Sequence, residues 1–110
     1  KDSQWTRGKG FDTICPLGPW IETDVDIADV LSTCRVNGEM RQMASSREMV
    51  FSVPQLIAFS SSVMTLEPGD ILLTGTPAGV GPLTDGDRVE VEIEGIGILA
   101  NGVRSAPPRF

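Results

Sequence analysis

Histidine is absent from all 110 residues. That excludes a Ser-His-Asp or Cys-His nucleophile system built from this chain alone, and it removes the commonest side-chain ligand of transition metals. Cysteine is scarce as well. Cys15 and Cys34 lack the repeated short spacings of a disulfide framework or a zinc site, so both are expected to be small buried apolar residues. Positive charge is thin: nine Lys and Arg against fifteen Asp and Glu give a net charge of −6 and a pI near 4.4. The basic residues are scattered, which excludes the electrostatic footprint of a nucleic-acid binder and disfavours an anionic membrane surface. No apolar run approaches the roughly 18 residues of a membrane span, and KDSQWTRGKG at the start has no apolar signal-peptide core. These absences predict a cytoplasmic chain of one domain at most, with a modest core.

What is present is a series of short strand patterns punctuated by turns. Residues 1–10 are polar and predict loop or extended chain; FDTICPLGPW predicts a short strand or an irregular buried segment followed by a turn. Residues 21–27 alternate apolar and acidic residues, as a solvated face or loop does. VLSTCRV predicts a strand, and the Asn37-Gly38 pair directly after it predicts a two-residue hairpin returning antiparallel through 39–43. Pro54 suits the first turn of an amphipathic helix over 54–64. In LEPGDILLTGTPAGVGP, the apolar run Ile71, Leu72 and Leu73 predicts a buried strand leading into a glycine-rich loop. RVEVEI then predicts a strand with Val89, Val91 and Ile93 inward and Glu90, Glu92 and Glu94 outward, and 98–103 a last strand. The sum is a β-dominated α+β domain with antiparallel or mixed pairing and one main helix.

Three features invite chemistry. The loop after Leu73 carries Thr74, Gly75 and Thr76, and its glycines let backbone N–H groups approach an anionic ligand; a tight structural turn explains the same pattern. It is neither a Walker A loop, since no lysine follows Gly81, nor a dinucleotide fingerprint, since it runs towards Pro82 and not into a helix. Lys9, between Gly8 and Gly10, has a flexible backbone that could deliver its ammonium into a cleft, although composition alone favours a solvated surface lysine. The acidic clusters Asp24/Asp26, Asp85/Asp87 and Glu90/Glu92/Glu94 could attract a hard cation, because same-face carboxylates on a strand lie about 7 Å apart. A solvated strand face is nevertheless the expected reading of Glu90, Glu92 and Glu94, a solvated face or loop that of Asp24 and Asp26, and turn chemistry explains Asp85 and Asp87 equally well.

Taken in order, RGKGFDTICPLGPWI, VNGEMRQ with REMVFSVPQLI, LEPGDILLTGTPAGVGP and GDRVEVEIEGIGILANGV resemble the C-terminal half of the fumarylacetoacetate hydrolase family, from Trp5 to Val103. The resemblance implies a mixed β-sheet roll of a usually dimeric enzyme acting on 2-oxo, 1,3-diketo or enol acids. The wording is most similar to the isomerase-like and acylpyruvase-like branch, implying an isomerase/decarboxylase of enol dicarboxylic acids. The alternatives are an acylpyruvate or fumarylacetoacetate-type C–C hydrolase, an oxaloacetate decarboxylase or, from another class, a non-catalytic β-domain. By position, Lys9 matches the family lysine that supplies positive charge to the developing enolate, and Thr76 the threonine that binds the substrate carboxylate. Gly75 allows close approach, and Thr13 lies near the same pocket.

The family's divalent ion, Mg2+ or else Mn2+ or Ca2+, is held by a Glu-x-Glu pair and an Asp upstream of the lysine segment. Only eight residues precede Lys9, and Glu90, Glu92 and Glu94 follow TGTP. The expectation is therefore that residues 1–110 are the C-terminal portion of one catalytic domain, with 104–110 a tail. Its metal ligands are expected upstream of Lys1 and no metal bound by this chain alone. The partners expected are a small oxo or enol acid and either a second copy or the N-terminal segment.

Overall fold

A computed structural model describes residues 4–106. Its centre is a four-stranded sheet in the order β2-β1-β3-β4, formed by β1 (Leu31–Val36), β2 (Glu39–Ser45), β3 (Arg88–Ile93) and β4 (Gly97–Gly102). Every neighbouring pair is antiparallel. The α+β expectation holds, with the main helix α2 at Val53–Val63. Pro at its first turn and the Ser52/Gln55 capping box explain where it starts.

The first hairpin forms where Asn-Gly placed it. Asn37 at φ 53° and Gly38 at φ 83° both take the left-handed region that a two-residue turn of this kind demands. The register on β2 slips once: Cys34 faces Gln42 but Arg35 faces Met40, which leaves Arg41 as the extra residue of a β-bulge.

Alternation assigns the faces. Cys34, Val36, Gln42, Val89, Val91, Ile93 and Leu99 share one of them. Two irregular segments lie on that face. The 79–83 loop packs over Cys34, Val36 and Val89 towards the β2 edge, while Pro16–Pro19 packs over Val91, Ile93 and Leu99 towards β4. Trp20 and Pro19 rest on Gly97. The opposite face carries Glu90 and Glu92. These glutamates are half-buried and ion-paired, Glu92 to Arg35 at 2.8 Å and Glu90 to Arg88 at 3.0 Å, where a bare solvated face was expected.

Four other expectations need correction. Ile71, Leu72 and Leu73 form no strand and are 56%, 43% and 77% exposed: the apolar run finds no sheet partner among the described residues. Residues Trp5–Lys9 form a short helix, α1, where loop or extended chain was expected. The 11–20 segment is irregular, as one of its two expected forms was, but exposed where burial was expected. Cys15 is exposed and Cys34 only half-buried, because the segments over the sheet cover it incompletely. Of the expected tail, residues 107–110 lie outside the described residues, as do 1–3.

Candidate functional site

The candidate residues lie on the two stretches of chain that lead into the segments over the apolar sheet face. Lys9 ends α1, and its Nζ lies 4.9 Å from the centre of the Trp5 ring, a cation–π contact that gives the ammonium a resting place. Four residues on, Thr13 has φ 68°. A β-branched residue in the left-handed region is a genuine backbone outlier, of the kind that concentrates at functional sites.

The second segment holds Gly75 and Thr76. Gly75 has φ 101° with open space around it, so the conformation and not crowding requires glycine there. Thr76 is tied down. Its Oγ1 accepts a hydrogen bond of 2.8 Å from Gln42 Nε2, and the same nitrogen donates to the Pro77 carbonyl oxygen at 2.8 Å. Three residues later, Gly79 at φ 104° presses on the bulge, where any Cβ would overlap the Arg41 carbonyl oxygen. The TGTPAG loop is thus clamped to β2 at two adjacent points, one side chain and one backbone. Gln42 was not singled out from the sequence. No sequence signal marks it: regular hairpin pairing would set Gln42 opposite Thr33, and only the bulge at Arg41 brings it to the apolar face.

No hydrogen bond among the described residues joins Lys9 or Thr13 to Thr76. Two cavities of about 160 Å3 flank the sheet, one lined by Cys34, Arg41, Gln42 and Val80, the other by Leu17, Val91 and Ile96. Neither is lined by Lys9, Thr13 or Thr76, and both are smaller than the roughly 300 Å3 at which ligand pockets begin. Nor do the described residues offer a metal centre: no group of three or more His, Cys, Asp or Glu is placed to hold an ion. The carboxylates are engaged otherwise. Asp29 lies below the usual carboxylate range, chiefly because the Ser45 hydroxyl donates to it and also through Arg47. Asp87 is lowered chiefly by the Thr84 backbone N–H, with the Asn37 amide second.

The profile of the family described as "Fumarylacetoacetate (FAA) hydrolase C-terminal" matches residues 1–104. The chain belongs to the fumarylacetoacetate hydrolase family. It is 57% identical to an uncharacterised protein of Methanocaldococcus jannaschii over 94% of this chain and 44% of the relative. It is 50% identical to mitochondrial oxaloacetate tautomerase Fahd2a of Rattus norvegicus over 91% of this chain and 35% of the relative. The chain therefore spans less than half the length of these relatives.

Among solved structures, 5-carboxymethyl-2-hydroxymuconate delta-isomerase from Mycobacterium smegmatis superposes with a TM-score of 0.90 at 52% identity, over 94% of this chain and 41% of that one. Maleylpyruvate hydrolase from Sphingobium sp. SYK-6, in complex with manganese(II) and pyruvate, superposes with a TM-score of 0.82 at 47% identity, over 86% and 37%. Named enzymes of this family thus include isomerases, hydrolases and tautomerases, and the sheet with its one main helix is their shared C-terminal fold.

Proposed function

We propose that this chain forms the carboxylate-binding wall of an enzyme that acts on 2-oxo or enol dicarboxylic acids, most simply by moving a proton to or from an enolate. The observation that carries this reading is the double clamp on the TGTPAG loop. A threonine hydroxyl and glycine-flanked backbone are held in a fixed place, as recognition of a carboxylate requires. The names of the relatives support an acid of this class, and they span isomerisation, tautomerisation and C–C hydrolysis.

In the proposed mechanism the Thr76 hydroxyl donates a hydrogen bond to a substrate carboxylate oxygen, and Gly75 keeps side-chain bulk away from it. Lys9 leaves its rest position over Trp5 and places its ammonium beside the oxygen on which negative charge grows as the enolate forms. Thr13 bounds the same space. The described residues do not fit a metal centre, so a divalent ion, Mg2+ or Mn2+, belongs to this proposal only through ligands from outside them. The 2-oxo acid is the small-molecule partner. A second copy or further chain of the same protein is the protein partner that completes the open site, and the proposed setting is cytoplasmic. No helix among the described residues is long and apolar enough to cross a membrane.

Assays of the full-length protein with oxaloacetate, maleylpyruvate and 5-carboxymethyl-2-hydroxymuconate separate the three chemistries. Lys9→Ala should lower kcat/KM about tenfold or more on whichever is turned over, the loss typical of one charge that stabilises the transition state. Unchanged turnover would sink the assignment. Inactivity of the full-length protein on every such acid would favour the reading of the domain as a non-catalytic β-module.

A further inference from the structure

We propose that Gln42 is a positioning residue that fixes the Thr76 hydroxyl as a hydrogen-bond donor to an anionic oxygen of the ligand; this rests on the reading of Thr76 as a carboxylate-binding group. The Gln42 amide nitrogen lies 2.8 Å from Thr76 Oγ1 and 2.8 Å from the Pro77 carbonyl oxygen. The carbonyl decides the orientation of the amide. A proline carbonyl can only accept, so the opposite flip would set two acceptor oxygens against each other with no proton between them. The NH2 group has two hydrogens and two acceptors in reach, and it serves both.

The consequence falls on Thr76. Because Oγ1 accepts from Gln42, its own proton cannot point at Gln42 and must be turned to another partner. Among the described residues Thr76 donates to no protein group, which leaves that proton for a ligand. An acceptor-only group such as a carboxylate suits it. A hydroxyl that accepts a hydrogen bond is also polarised as a donor, and one already oriented loses less freedom on binding.

The strand is built to allow this. The bulge at Arg41 returns Gln42 to the face of Cys34, beneath the loop, and Gly79 seats the loop on the bulged carbonyl. Gln42 therefore acts at a distance from the ligand, through a hydroxyl 34 positions further along the chain.

Calorimetric titration of the full-length protein with oxalate in the presence of manganese(II) tests the proposal, with Gln42→Met, Gln42→Glu and Thr76→Val made singly and as the two double variants. Methionine keeps the volume and removes the donors. Glutamate presents an acceptor that captures the Thr76 proton. Gln42→Glu should weaken oxalate about tenfold or more, the loss expected for one hydrogen bond to a charged group, and Gln42→Met less. In the Thr76→Val background neither Gln42 change should weaken oxalate further. Equal losses in both backgrounds would show that Gln42 acts on the fold and would overturn the proposal. So would a Thr76→Val loss with no loss in Gln42→Glu or Gln42→Met, which leaves the carboxylate reading standing. No effect of Thr76→Val, or no oxalate binding by the unmodified protein, would overturn the carboxylate reading and this inference with it. Should Gln42→Glu not fold, as judged by its thermal midpoint, Gln42→Met in the two backgrounds carries the same cycle.

Discussion

Single residues on the TGTPAG loop differ in how much they can tolerate, and the reason is what lies beneath each. A methyl at Gly79 would overlap a backbone oxygen, that of Arg41, and a carbonyl in a sheet cannot swing aside as a side chain can. Gly79→Ala must therefore lift the loop from β2 and break both bonds made by Gln42. Gly75→Ala meets nothing within 4 Å and suffers only the left-handed backbone conformation, about 1–2 kcal/mol. Thermal denaturation of the two full-length variants should rank Gly79→Ala as the less stable by about 1 kcal/mol or more, and ligand affinity should fall further for it. Equal midpoints would mean that the loop does not rest on the bulge.

At the scale of elements, the two turns at one end of the sheet are stitched together. Asn37 of the first hairpin donates from Nδ2 to Asp87 at 2.8 Å and accepts at Oδ1 from the Arg88 backbone N–H at 2.9 Å, so β1, β2 and β3 meet at one side chain. Asp87 has a folded pKa below its unfolded one. Its stabilisation is thus complete above the unfolded carboxylate value and is lost as pH falls through the folded value, a window below about pH 4. Urea unfolding of the full-length protein should lose stability on going from about pH 7 to about pH 3. Asp87→Asn should flatten that loss, and an unaltered pH dependence in the variant would refute the stitch.

The same elements show what was legible in the sequence and what was not. Asn37-Gly38, Pro54 and the alternation of RVEVEI are local signals, and each gave its element to within two residues. The run Ile71–Leu73 misled because apolarity records a preference for burial without naming a partner, and pairing is non-local. Lys9, Thr13, Gly75 and Thr76 are candidates through ordered motifs alone; the clamp from Gln42 was hidden, since it depends on a bulge and on a contact 34 residues away.

The whole molecule is under-covered for its mass. A compact protein of 11.8 kDa exposes about 5,900 Å2 and has a radius of gyration near 13 Å. This chain exposes 9261 Å2 with a radius of 15.6 Å, and only Val36 and Thr33 count as buried among the described residues, each still 6% exposed. The excess is apolar where it matters. Phe59 is 71% exposed and Val63 66% on α2, while Val50 and Phe51 before it are 90% and 61% exposed. At about 25 cal/mol per Å2 of apolar surface, covering even a third of that excess is worth tens of kcal/mol, far above the 5–15 kcal/mol by which proteins are stable. The 110 residues by themselves should accordingly bind the dye ANS and self-associate in sedimentation, whereas the full-length protein should do neither beyond its defined oligomer. Phe59→Asp in the full-length protein should cost about 3 kcal/mol or more in a urea titration, the cost of an unpaired charge placed in a covered apolar face. A cost below about 0.5 kcal/mol, the ordinary value for an exposed helix position, would mean that α2 faces solvent in the complete protein and that the site is completed elsewhere.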